Sequence, residues 1–165
     1  MVKAVVVYNS KGGNTRKVGK KIAEGLGCEA FDRKKIPKDF AKYNLIVMGS
    51  WCWAGMLRGA NMFRKVARNY SGNLALFFTS GAPDEENPMA KKVQGQPPKP
   101  IKECMWEKME GILSKNPNIT ILEERFYAQG AVRMGNRPPQ GPIGHPNDEE
   151  LENARIFGEK LKNLL

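Results

Sequence analysis

The apolar positions of this 165-residue chain fall into short continuous runs that alternate with helical stripes. Residues 3–8, K-A-V-V-V-Y, are β-branched and almost unbroken in apolar character, as expected of a strand covered on both faces. The run stops at Asn9-Ser10-Lys11-Gly12-Gly13-Asn14. From Thr15 onward Val18, Ile22 and Leu26 recur every fourth position among Arg16, Lys17, Lys20 and Lys21, which predicts an amphipathic helix ended by Gly27. Residues 28–31 predict a second strand, and residues 33–39, around Pro37, a basic connector. Residues 45–49, L-I-V-M-G, predict a third buried strand, followed over 50–59 by a glycine-bearing loop with two tryptophans. Phe63, Val66, Ala67 and Tyr70 then return to helical spacing. A fourth strand over 74–79 ends in the turn residues Ser80-Gly81-Ala82-Pro83. Residues 83–100 are rich in Pro, Gly, Gln and charge without periodicity, and predict an extended surface excursion. Ile101, Met105, Ile112 and Leu113 mark another helix, and residues 119–127 a fifth strand. A second Gly/Pro-rich loop covers 130–146. Asn147 with Glu150 three positions on resembles a capping box, opening a last helix that buries Leu151, Ala154, Phe157, Leu161 and Leu164.

Strands alternating with helices predict parallel strands joined by right-handed crossovers, with helices on both faces. Ligands of such sheets bind outside the carboxyl ends of the strands. The loops at 9–15, 50–59 and 80–83 all fall on that edge. The length suits one domain spanning 1–165, and no internal repeat appears. Apolar residues at 41% and charged residues at 27% exclude a disordered or collagen-like chain. No apolar run approaches the roughly 20 residues that span a bilayer, and the first residues do not resemble a signal peptide. Three cysteines, Cys28, Cys52 and Cys104, form no C-x-x-C pair and no metal-type spacing. A cytoplasmic protein with free thiols is expected.

Charge changes this picture. Residues 1–80 carry 15 basic and 4 acidic side chains, a net +11, whereas residues 81–165 carry 12 and 13, a net −1. A positive field of this kind suits phosphate-bearing ligands, nucleic acid, anionic membrane or an acidic protein, and does not choose among them.

The first loop narrows the choice. Residues 10–15, S-K-G-G-N-T, join a buried strand to a helix N-terminus, where unpaired backbone N–H groups and the helix dipole favour an anion. Two glycines permit the tight backbone that aims those groups inward, and Ser10, Asn14 and Thr15 add side-chain donors. The loop lacks the third glycine of the dinucleotide fingerprint and the G-K-[S/T] of a Walker loop.

Strand, then S-x-x-G-N-T, then helix resembles the phosphate loop of the flavodoxin family, S/T-x-T-G-N-T. The likeness continues through G-S-W-C-W-A-G at 49–55, similar to the family's second flavin loop, and T-S-G-A at 79–82, similar to its third. The segment G-H-P-N-D-E-E-L-E-N-A-R at 144–155 resembles the start of the last helix in small flavodoxin-domain proteins. The resemblance implies an α/β three-layer sandwich with a five-stranded parallel sheet in the order 2-1-3-4-5, and FMN as cofactor. It implies that Ser10, Lys11, Gly12, Gly13, Asn14 and Thr15 hold the FMN phosphate. Ser50, Trp51, Cys52, Trp53, Ala54 and Gly55 would line the ring, with Gly55 letting a backbone group approach N5. Ser80, Gly81 and Ala82 would bond the pyrimidine edge. Gly12 stands where the family usually has threonine, which removes one hydroxyl donor to the phosphate, a loss that the basic loop and helix face could offset. Trp51 or Trp53 would stack on the ring; an extended loop points the two indoles to opposite sides, so one of them at most would do so.

Cys52, a lone thiol, is expected to be a packing residue, and His145, the only histidine, to shape the helix start rather than transfer protons. The function implied is an FMN-bound electron carrier between protein partners, with no catalytic side chain and no metal. Flavodoxins are typically acidic around the flavin and dock on basic partners. This basic chain therefore implies either an acidic partner or a role that has drifted from the family's. The rival is an FMN-dependent NAD(P)H oxidoreductase of the same fold, with Arg58, Arg64 or Arg133 holding the nucleotide phosphate. A basic nucleic-acid-binding module is less favoured, since no nucleic-acid motif accompanies the charge. The loops at 83–100 and 130–146 would cap the flavin edge or form a homodimer contact.

Overall fold

The uninterrupted apolar runs form the inner strands of one sheet, because only a strand buried on both faces has use for apolar side chains at every position. A computed structural model describes residues 3–53, 55–81, 100–133 and 135–164. The elements follow as β1 Ala4–Asn9, α1 Asn14–Leu26, β2 Glu29–Asp32, β3 Leu45–Trp53, β4 Met56–Leu57, α2 Ala60–Asn69, β5 Gly72–Ser80, α3 Ile101–Leu113, β6 Ile119–Gln129 and α4 Asp148–Asn163. The sheet runs β2-β1-β3-β5-β6, with these neighbours all parallel. Counting those five strands alone, the order is the expected 2-1-3-4-5.

One element was not expected. The segment read as a loop over 50–59 continues β3 as far as Trp53 and turns back as β4, which pairs antiparallel with it, Cys52 against Leu57 and Trp53 against Met56. A strand of two residues has too few positions to show a period. The 130–146 loop likewise contains a bridge between Val132 and Gln140. Of the 83–100 excursion only Pro100 lies among the described residues.

Alternation along each strand divides the core. Val5, Val7, Ile46, Met48, Leu74, Leu76 and Phe78 meet Phe63 and Val66 of α2 and Met105, Met109 and Leu113 of α3 on one face. Val6, Tyr8, Leu45, Val47, Ala75 and Phe77 meet Val18 and Ile22 of α1 and Ala154, Phe157 and Leu161 of α4 on the other. Three layers result. Two glycines decide how closely α1 and α4 approach. A Cβ on Gly25 would lie 1.9 Å from the Arg155 carbonyl oxygen, and one on Gly158 would lie 2.2 Å from that of Ile22. The backbones of the two helices are therefore in direct contact. No described helix is long and apolar enough to cross a membrane.

Candidate functional site

The carboxyl ends of β1, β3 and β5 converge with the start of α1, and buried polar side chains tie them together. Asn9, at the end of β1, donates from Nδ2 to the Ser50 hydroxyl at 3.1 Å. Ser50 in turn donates to the carbonyl of Arg58 at 2.5 Å. Thr15, in the first turn of α1, shares a 2.8 Å hydrogen bond with Thr79 near the end of β5. Burial makes such pairs mandatory, since a lone hydroxyl there would lose water without compensation.

The 10–15 loop has the form of an anion cup. The Ser10 hydroxyl accepts the Gly13 N–H at 3.1 Å and closes the turn. Gly13 adopts a left-handed backbone, φ 98°, as the N-cap of α1, and no side chain caps the helix. Its first-turn N–H groups thus face outward with the positive end of the helix dipole behind them. A depression of about 160 Å³ in front of them is lined by Ser10, Lys11, Gly12, Gly13, Arg16 and Asp32. That volume and donor set fit a phosphate group. The cations that line the cup are Lys11 and Arg16. The Asn14 amide donates to the Ala131 carbonyl at 2.8 Å, and Thr15, 1% exposed, bonds Thr79 through its hydroxyl.

The hairpin β3–β4 stands beside this cup. Positions two apart on a strand share a face. The indoles of Trp51 and Trp53, two positions apart in β3, therefore lie on the same side, and the expectation of opposite sides is corrected: in an extended chain adjacent residues alternate, so Cys52 rather than the second indole faces the other way. Cys52 points the other way into the core, 1% exposed. Burial pushes its thiol pKa up, partly opposed by a hydrogen bond with Ser80 and the nearby Lys108 charge. It is a packing residue. Lys11 Nζ and the Arg58 guanidinium lie over the Trp51 ring, 5.8 and 5.6 Å from its centroid, within reach of cation–π attraction. Gly55, at φ 73°, makes the hairpin turn, and its carbonyl accepts from Lys108 Nζ. Lys108, contributed by α3, gave no sequence signal for this contact.

Ser80 and Gly81 sit at the third loop, where the 130–146 segment braces them. The Gly130 N–H donates to the Ser80 carbonyl at 2.9 Å. A Cβ on Gly141, itself at φ 99°, would lie 2.1 Å from the Gly81 carbonyl oxygen. With the Asn14–Ala131 bond, this segment holds both the first and the third loop. Ala54 and Ala82 lie outside the described residues. His145 Nδ1 bonds Glu150 at 2.7 Å. Glu150 also takes the Asn147 N–H in a complete capping box. His145 thus shapes the start of α4, as its sequence context implied.

A broader depression of about 640 Å³ adjoins the cup, lined by Ser10, Lys11, Asp32, Arg33, Trp51 and Arg58 among others. Asn9, Arg16, Asp32 and Arg33 were absent from the residues proposed from sequence. Their only signal was position, at strand ends and in the first turn of α1.

The comparisons agree with this geometry. A family model described as a flavodoxin domain matches residues 5–111. No match was found among curated protein sequences. Among solved structures, a flavodoxin from the domain Archaea superposes with a TM-score of 0.60 at 18% identity, covering 98% of this chain and 97% of that one. A short-chain flavodoxin associated with a non-canonical PDU bacterial microcompartment gives 0.63 at 15% identity, covering 99% of both chains. A flavoprotein from Lactobacillus acidophilus, solved in complex with FMN, gives 0.53 at 16% identity over 78% of this chain and 93% of that one. With its phosphate-sized cup at the expected switch point of the sheet, the chain belongs to the flavodoxin family.

Proposed function

We propose that this protein binds FMN and carries electrons between protein partners. The observation that carries the reading is the uncapped start of α1 at Gly13, which opens into a phosphate-sized depression beside the Trp51 indole. The backbone N–H groups of 12–15 would hold the phosphate, with Lys11 and Arg16 supplying positive charge. Trp51 and Trp53 present flat apolar surface to a ring system and exclude water from it. Bound there, FMN would supply the redox chemistry, and no side chain need act as acid or base.

Lys11, Arg16, Arg33, Lys34 and Arg58 surround the cup and its neighbouring depression, against the single carboxylate of Asp32. This field suits an acidic partner protein, whose association it would speed at low salt. The test is a titration of purified protein with FMN, followed by absorbance and flavin fluorescence. Saturation at one FMN per chain is expected, and failure to bind overturns the reading. The loaded protein alone should not turn over NADPH, and sustained oxidation would instead establish the oxidoreductase.

A further inference from the structure

Beyond the flavin cup, the sheet edge carries a second basic cavity. About 720 Å³ in volume, it lies between the connector that follows β2 and the start of α2, and five cations line it: Arg33, Lys34, Arg58, Arg64 and Lys65. Among the described residues no carboxylate lines it and none of the five forms an ion pair. The remaining wall is Asn61, the apolar side chains of Ile36, Leu57 and Met62, and the backbone of Gly59 and Ala60. Three independent features converge there. Gly59, at φ 72°, opens α2 with no side-chain cap and no acidic residue in the first turn, so a second set of first-turn N–H groups is offered. The Arg58 Nε atom is buried and lacks a hydrogen-bond acceptor, a deficit that costs free energy unless something fills it. Finally, like charges gathered around one hollow repel each other until an anion enters.

We propose that this cavity is a second polyanion site, distinct from the flavin phosphate cup, that binds the pyrophosphate group of a nucleotide ligand. One phosphate monoester carries about two negative charges, against five cations here. Five cations spread around a volume within the usual range of ligand pockets match a ligand with more than one anionic group. The paired N–H groups of Arg33, Arg58 and Arg64 suit phosphate oxygens in bidentate geometry. Ile36, Leu57 and Met62 offer an apolar floor for a flat base. Arg33, Lys34, Arg58 and Gly59 also line the 640 Å³ depression, so a ligand here would lie within reach of the flavin end of the site.

The proposal does not depend on FMN binding, and its test keeps the two apart. ADP and inorganic pyrophosphate are titrated calorimetrically at physiological salt into the FMN-saturated chain, and into the FMN-free chain should FMN not bind. Saturable 1:1 binding of ADP without release of FMN is expected. The exposed pair Arg64→Gln and Lys65→Gln should weaken it by about tenfold or more, as the loss of charged hydrogen bonds implies, with FMN affinity unchanged. ADP binding about tenfold tighter than pyrophosphate would assign a nucleotide. Equal affinities would keep the site, assign the free anion as its ligand and overturn the nucleotide. Absence of saturable binding, displacement of FMN mole for mole, or affinity indifferent to the double substitution would each overturn the site.

Discussion

The hydroxyls of Thr15 and Thr79 meet at 2.8 Å although they stand 64 positions apart. Both residues are buried, 1% and 3% exposed, so the bond fastens the first turn of α1 to the end of β5 and holds the anion cup against the third loop. Thr15→Val keeps the shape and leaves the Thr79 hydroxyl without its partner. It should cost about 1–3 kcal/mol in denaturant unfolding. The double variant with Thr79→Val should recover most of that loss. Additive losses in the two single variants would show that the pair is not coupled.

Gly12 occupies the position where the family usually has threonine, and the space for that side chain remains. A Cβ built there meets nothing within 4 Å, and Gly12 is not among the residues with left-handed backbone. Gly12→Thr should therefore fold normally and bind FMN about tenfold tighter, the worth of one further hydrogen bond to a charged phosphate. Fluorescence titration of the two proteins side by side measures the ratio.

Gly158→Ala tests the contact of α1 with α4. On helix propensity alone the change should stabilise by about 1 kcal/mol. The new Cβ would lie 2.2 Å from the Ile22 carbonyl oxygen, and backbone cannot move aside as a flexible side chain does. A net loss of about 1–3 kcal/mol is expected, seen as a melting temperature lowered by several degrees. A rise in melting temperature would mean that the helices separate readily.

Burial pushes the Cys28 thiol up to about 11, and burial also raises Cys52. Thiolate is the reactive form, so both should alkylate slowly at pH 8 in the native protein and quickly once unfolded. The stability consequence has a definite sign. A group whose folded pKa is raised contributes fully below its unfolded pKa and loses that contribution as pH rises toward the folded value. Stability should thus decline between about pH 9 and 11. Cys28→Ala should flatten that part of the profile.

Lys11 and Arg58 both lie near the Trp51 ring, where positive charge favours the reduced, anionic state of a bound flavin. The two-electron midpoint potential of the FMN-loaded protein should exceed that of free FMN. Lys11→Gln and Arg58→Gln should each lower it. A potential at or below that of free FMN would count against the electrostatic account.

Local pattern alone was enough to place the five through strands, α1 with its closing Gly27, and the Asn147–Glu150 capping box, because strand period, helical stripe and cap chemistry are written in neighbouring residues. The first loop was legible for the same reason, a glycine pair between a buried strand and a helix. Tertiary structure decided the rest. The two-residue β4 exists only because β3 is there to pair with it, and β3 itself runs on through Trp51 and Trp53, which share one of its faces. The place of Asn14 in the loop marks it as a phosphate donor, and only the fold shows that its amide also donates to the Ala131 carbonyl, 117 positions away. Gly25 and Gly158 give no local signal that they mark a helix contact. Likewise Arg58 and Arg64 stood out in sequence only as alternative holders of a nucleotide phosphate, and only the fold gathers them with Arg33, Lys34 and Lys65 around one cavity. Side-chain period is a property of neighbours along the chain, whereas a binding site is a property of neighbours in space.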